Sequence, residues 1–185
     1  NRLLKNVVRR AFVSYEETAA ELPAGRALFT GNPVKQQILD AARQKTFRTV
    51  GENERLRILV MGGSQGARSV DQRVPEALAQ AGLAGRVMVT HQGQAENLDG
   101  VRAIYAGAGI EATVVPFIDD MAQAYLAADL VVARSGATTV AEVTVMGLPA
   151  VFLPYPHHAD RQQEKNAAAM KRTGAAIVLD EKVTG

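Results

Sequence analysis

Cysteine is absent from this 185-residue chain. That excludes disulfides and thiolate chemistry and suits a cytoplasmic protein. There is no charge excess either: 21 basic residues face 19 acidic ones, so charge does not call for a nucleic-acid partner. No apolar run approaches the roughly 18 residues of a membrane-spanning helix. Internal repeats and low-complexity segments are lacking. The chain opens at Asn1 with no methionine or signal-like segment and stops at Thr184-Gly185 just after a strand-like run, which reads as a fragment or isolated domain.

What is present is a normal globular composition, 47% hydrophobic, at a length that can bury a proper core. Short apolar runs alternate with longer segments of helical period. Strands are expected at Ala27–Thr30, Ile58–Met61, Val87–Thr90, Ala112–Val115, Leu130–Ala133, Ala150–Leu153 and Ala175–Leu179. Helices are expected at about Pro33–Arg43, Ala67–Ala81, Gln94–Ala106, Asp120–Ala127, Thr139–Met146 and Asp160–Thr173. Regular alternation predicts an α/β fold, a Rossmann-like parallel sheet with helices on both faces and ligands at the carboxyl ends of the strands.

Two of those ends carry glycine-rich turns. Arg57 to Met61 runs into Gly62-Gly63-Ser64-Gln65-Gly66-Ala67, and Asp129 to Ala133 runs into Arg134-Ser135-Gly136-Ala137-Thr138-Thr139. Glycines let the backbone close on an anion while the amides and dipole of the following helix face it. Two such loops suit a ligand with a diphosphate. A dinucleotide site calls for a fuller G-x-G-x-x-G and an acid ending the next strand, but that strand ends in Thr90-His91-Gln92. An ATPase phosphate loop calls for Gly-Lys-Ser/Thr, and Gly66 is followed by Ala67-Arg68. Tight packing is the purely structural alternative for either turn.

Other candidates each carry a structural alternative. Glu142 stands three residues after Thr139, so it either closes a capping box or holds a pair of ribose hydroxyls. Asp160 reads as an N-cap with Gln163 at the box position, while Gln162 and Gln163 could instead present amides to sugar hydroxyls. Asn32 and Pro33 suit a helix start, which puts Lys35 in the first turn, where a cation opposes the dipole unless a phosphate is bound. His157 and His158 lack metal-ligand spacing, which argues against zinc; they line the cleft mouth or are solvated. Over residues 1 to 22, Leu3, Leu4, Val7, Val8, Ala11 and Phe12 form a helical stripe opposite Arg2, Lys5, Arg9 and Arg10. Such a helix either lies on an anionic membrane or packs on a neighbouring domain. A short strand is expected at Ala11–Tyr15.

Five motifs in order carry a resemblance: Gly31-Asn32-Pro33-Val34, Gly62 to Ala67, Phe117-Ile118-Asp119-Asp120-Met121, Arg134-Ser135-Gly136-Ala137 with Thr139 and Glu142, and Asp160-Arg161-Gln162-Gln163. The chain resembles the C-terminal half of the MurG family of bacterial peptidoglycan glycosyltransferases over nearly its whole length. That resemblance implies the C-terminal domain of a two-domain GT-B fold. Residues 1–22 would be an interdomain connecting segment and 23–185 the nucleotide-sugar domain, with the N-terminal acceptor domain absent. It also implies transfer of N-acetylglucosamine from UDP-N-acetylglucosamine to lipid I, giving lipid II with inversion, at the cytoplasmic face of the membrane.

By the same resemblance, Ser64 contacts the diphosphate and the turn Ser135, Gly136, Ala137, Thr138 and Thr139 supplies amides to it. Glu142 holds the ribose, Ile118 meets uracil through its backbone, and Gln162 and Gln163 read the sugar. Lys35 replaces an arginine frequent in the family, keeping charge but losing the bidentate fork. The loop Pro154–Ala159 is a residue longer than the family pattern, which leaves His157 and His158 without an assigned role. No Asp-x-Asp occurs, so neither metal nor cofactor is expected. The general base is expected in the missing half, so the chain alone should bind donor without transferring it. A related glycosyltransferase, a nucleotide-sugar epimerase or a non-catalytic nucleotide-binding module would use similar loops.

Overall fold

The structure is a computed structural model that describes residues 4–63, 68–156 and 161–180. Its body is a six-stranded parallel sheet of β3 (Leu56–Met61), β4 (Val87–Gln92), β5 (Glu111–Val115), β6 (Leu130–Ala133), β7 (Ala150–Phe152) and β8 (Ala176–Val178), in the order β5-β4-β3-β6-β7-β8. Every pairing is parallel, so each connection crosses a face of the sheet, and helices fill those crossings.

The central strands are apolar on both sides because both sides are covered. Leu59 and Met61 of β3 and Val131 and Ala133 of β6 enter one core, with α2 (Gln36–Gln44), α5 (Met121–Ala127), α6 (Ala137–Met146) and α7 (Gln162–Arg172). Ile58, Val60 and Val132 point the other way, onto α3 (Arg68–Gln80) and α4 (Leu98–Gly107). The period-two alternation of side chains thus divides one apolar run between two cores. Each expected strand of the body overlaps an observed one.

The amino-terminal region differs from the expected basic helix. A 3₁₀ turn at Leu4–Asn6 is followed by β1 (Ala11–Val13), the short helix α1 (Glu16–Ala19) and β2 (Ala27–Phe29). β1 and β2 form a separate parallel pair, Ala11 opposite Ala27 and Val13 opposite Phe29. Arg26 donates to the carbonyls of Asn6 at 2.9 Å and Val8 at 3.0 Å. Those carbonyls would serve a helix ladder if the stripe were helical. Instead β-branched Val7 and Val8 lead into the strand, and the stripe residues Leu4, Val7 and Phe12 are left exposed.

Three helix starts also depart from expectation. α2 begins at Gln36, so Lys35 is its N-cap residue, in extended conformation, rather than a member of the first turn; Val34 packs against the core just before it. α6 begins at Ala137 with Gly136 as N-cap. Thr139 is therefore already inside the helix, and Thr139 and Glu142 form no capping box. α7 begins at Gln162 behind Arg161, which adopts a left-handed φ of 50°. Asp160 lies outside the described residues, and Gln163 accepts from the Tyr155 amide at 2.9 Å rather than closing a box.

Candidate functional site

β3 and β6 are neighbours although two strands separate them in sequence. From β3 the chain winds outward through β4 and β5, then returns to continue through β6, β7 and β8 on the other side. The strand order reverses between β3 and β6, which is where open parallel sheets leave a crevice for ligands. Met61 and Ala133 stand opposite each other at the ends of these strands, and the Arg134 amide donates to the Met61 carbonyl at 3.3 Å. Both glycine turns therefore leave the sheet side by side, and each leads into a helix. Gly63 takes a φ of +85°, a conformation costly for any residue with a Cβ.

Arg134, which the sequence reading named only as part of its motif, ties the second turn to the start of α3. It is only 6% exposed. Its Nη1 donates to the carbonyls of Leu153 at 2.7 Å and Pro154 at 3.2 Å, and its Nη2 to Ser69 Oγ at 2.6 Å. Its guanidinium also lies 5.7 Å from the Tyr155 ring centroid. One planar cation thus joins the end of β6, the turn after β7 and the start of α3, a use suited to arginine's rigid fork of donors. A charged residue at the end of a buried central strand was the available signal.

Ser135 is fully buried, and its hydroxyl donates to the Gln163 carbonyl at 2.8 Å. Asn166 returns a bond from its amide to the Ser135 carbonyl at 3.0 Å. Together they fasten the start of α7 to the start of α6. Gly136 as N-cap leaves the amides of Ala137, Thr138 and Thr139 in the first turn, where no intrahelical acceptor exists. One turn further, Glu142 Oε2 accepts from the buried Tyr125 hydroxyl at 3.0 Å. Burial and the Glu142 carboxylate push the Tyr125 phenol well above the ordinary range, so it remains a donor that fixes the carboxylate.

The other candidates are spread around this centre. Gln162 donates to Asn166 Oδ1 at 3.1 Å, and Gln163 holds the Tyr155 amide, so both glutamines are oriented by α7 and the turn it follows. Ile118 packs against the core from the loop between β5 and α5, and Asp120 caps α5 by accepting from the Gln123 amide at 3.0 Å. Lys35 is exposed at the head of α2. Ser64, His157 and His158 lie outside the described residues.

Next to the first turn is a buried polar network that the sequence reading also missed. Asp71, 2% exposed in the first turn of α3, approaches His91 Nε2 at 3.3 Å; His91 Nδ1 is 3.0 Å from the Tyr105 hydroxyl of α4. Burial lowers the His91 pKa, opposed by its bond to Asp71. Among the described residues there is no group of three His, Asp or Glu side chains that could hold a metal.

The sequence profile of the glycosyltransferase family 28 C-terminal domain matches residues 57–185. Two UDP-N-acetylglucosamine–N-acetylmuramyl-(pentapeptide) pyrophosphoryl-undecaprenol N-acetylglucosamine transferases are similar to the chain. The one from Geobacter sulfurreducens is 43% identical and that from Geobacter metallireducens 42%, each alignment covering 98% of this chain and 50% of the relative. The crystal structure of MurG from Acinetobacter baumannii superposes with a TM-score of 0.76 at 33% identity, over 98% of this chain and 49% of that one. The chain thus spans about half the length of the relatives it matches. Its sheet order, paired glycine turns and sequence place it in glycosyltransferase family 28, as the C-terminal domain of a GT-B fold.

Proposed function

We propose that this chain is the donor-binding half of the transferase that moves N-acetylglucosamine from UDP-N-acetylglucosamine to lipid I, forming lipid II. The observation that carries the reading is the convergence of two glycine turns and two helix starts at the point of strand reversal. That arrangement is a cradle for a diphosphate. The names of the similar proteins supply the sugar and the acceptor. In this reading the amides of Ala137, Thr138 and Thr139 and the Ser64 turn hold the diphosphate, with the Ser135 hydroxyl acting only to brace the loop. Glu142, steadied by Tyr125, accepts from the ribose hydroxyls; Ile118 meets uracil, and Gln162 and Gln163 contact the sugar.

Transfer is a displacement at the anomeric carbon by the muramyl C4 hydroxyl, with inversion. The bond to the diphosphate oxygen breaks as the new glycosidic bond forms, and the hydroxyl proton passes to a general base in the other half of the protein. Negative charge grows on the departing UDP, where two helix starts and Lys35 stabilise it. The exposed apolar residues Phe12, Leu28 and Phe29 are covered by that other half, which binds the acceptor. Attachment to the cytoplasmic membrane surface then resides in the whole protein, since residues 4–13 build no basic amphipathic helix.

The test is transfer of labelled N-acetylglucosamine to lipid I. The full-length protein should transfer and this chain alone should not, and Glu142→Ala in the full-length protein should lower kcat/KM at least tenfold. Transfer by the chain alone, or an unaffected Glu142→Ala protein, would contradict the assignment.

A further inference from the structure

Building on the donor site proposed above, we infer that Asp71 is a positioning residue for the diphosphate: its buried carboxylate fixes the start of α3, the helix that follows the first glycine turn. Asp71 gathers contacts from three residues, one on β4 and two in the loop before α4. Oδ1 meets His91 at the end of β4, and Oδ2 accepts from the Gln94 amide at 2.9 Å and from Asn97 Nδ2 at 3.1 Å. His91 is fully buried and is itself held by Tyr105 of α4. The backbone also sits close: a Cβ built on Gly93 would lie 3.1 Å from Asp71 Oδ1 and 3.3 Å from its Cγ.

The helix itself explains why this clamp matters. Pro75 lies inside α3, four residues after Asp71. Proline has no N–H, so the bond that would run from residue 75 to the Asp71 carbonyl does not exist. The first turn of α3 is therefore short of one ladder bond on its own account, and the side chain of Asp71 anchors it to β4 and to the loop before α4. Arg134 grips the same turn from the opposite side through Ser69. Amides aimed at a diphosphate act only if their direction is preset, and these two contacts set it.

The role is one of geometry, so an isosteric amide should preserve it and truncation should not. Binding is measured on the full-length protein by NMR titration with UDP and, separately, with uridine, which has no phosphate. Asp71→Ala should weaken UDP at least tenfold while leaving uridine within twofold. Asp71→Asn should keep UDP within about threefold of the parent. Gly93→Ala, whose methyl presses on the carboxylate without removing it, should give an intermediate UDP loss and serves if Asp71→Ala does not fold. The inference is overturned if Asp71→Ala and Gly93→Ala bind UDP like the parent, or if UDP and uridine weaken equally. A parent protein that binds no UDP would instead overturn the donor site itself.

Discussion

The six-stranded body and the β1–β2 pair are both parallel sheets, but only the first is covered on two faces. In the body, Leu59, Val60, Val131 and Phe152 are at most 1% exposed. In the pair, Phe12 is 72% and Phe29 58% exposed. Isolated two-stranded sheets are marginal in water, so the pair depends on what packs against it, whereas the body holds itself together. The difference also separates the proposed donor site from the amino-terminal pair. Both glycine turns and the Glu142 and Arg134 contacts belong to the body. The amino-terminal pair contributes instead to an apolar groove of about 410 Å³ against α6, lined in part by Tyr15, Phe29, Val34, Val140 and Val145.

The sharpest way to break this comparison is to truncate one aromatic in each region. Phe152→Ala should cost about 3–5 kcal/mol of stability, and Phe12→Ala should stay within about 0.5 kcal/mol, both read from urea unfolding. Similar losses would mean that the two sheets form one cooperative core.

A second test concerns the lower edge of the body, where Asp129 accepts from the Arg57 amide at 2.9 Å and from the guanidinium groups of Arg57 and Arg48. Burial pushes the Asp129 carboxyl up, but the bonds from Arg57 and Arg48 outweigh it and hold the carboxyl well below the usual range. A carboxylate depressed in the folded state contributes stability above its unfolded pKa of about 3.9 and loses it as pH falls. Asp129→Asn should cost about 1–3 kcal/mol at pH 7. The difference from the parent should shrink below pH 4; a pH-independent difference would remove the ionic explanation.

Tyr125→Phe deletes only the hydroxyl that holds Glu142. It should lower stability by about 1 kcal/mol and weaken UDP severalfold in calorimetric titration. Unchanged UDP affinity would show that Glu142 needs no brace. The smallest effect belongs to Arg26→Ala, which frees the carbonyls of Asn6 and Val8. Amide exchange should quicken around β1 while the amides of β3 and β6 keep their protection. Faster exchange in the body would again merge the two regions.

Periodicity made the body legible, and the strands expected at Ala11–Tyr15 and Ala27–Thr30 overlap β1 and β2, but the helical stripe expected before them did not form. The runs at Ile58–Met61 and Leu130–Ala133 are apolar throughout, as a strand buried on both faces requires, and both formed. Leu4 to Phe12 satisfied a helical spacing equally well, but the partner strand at Ala27–Phe29 and the reach of Arg26 decided otherwise, and neither is local information. At the site, the glycine turns were readable because their chemistry is local. Arg134 and Asp71 were not, since their partners Leu153, Ser69 and His91 are distant in sequence and become neighbours only through the strand order. Spacing left Glu142 as either a cap or a ribose ligand; the helix starts two residues before Thr139, with Gly136 at the N-cap, which removes the capping box.

The most direct test of the central claim is a thermal-shift titration of this chain with UDP-N-acetylglucosamine, its galactosamine epimer, NAD and ATP, repeated on Glu142→Ala. At a hundredfold excess over the dissociation constant, binding adds about 2.7 kcal/mol, a rise of roughly 5 to 10 °C at this size. The account predicts that rise with UDP-N-acetylglucosamine and its loss in Glu142→Ala. A rise with NAD or ATP and none with the uridine donor would contradict it.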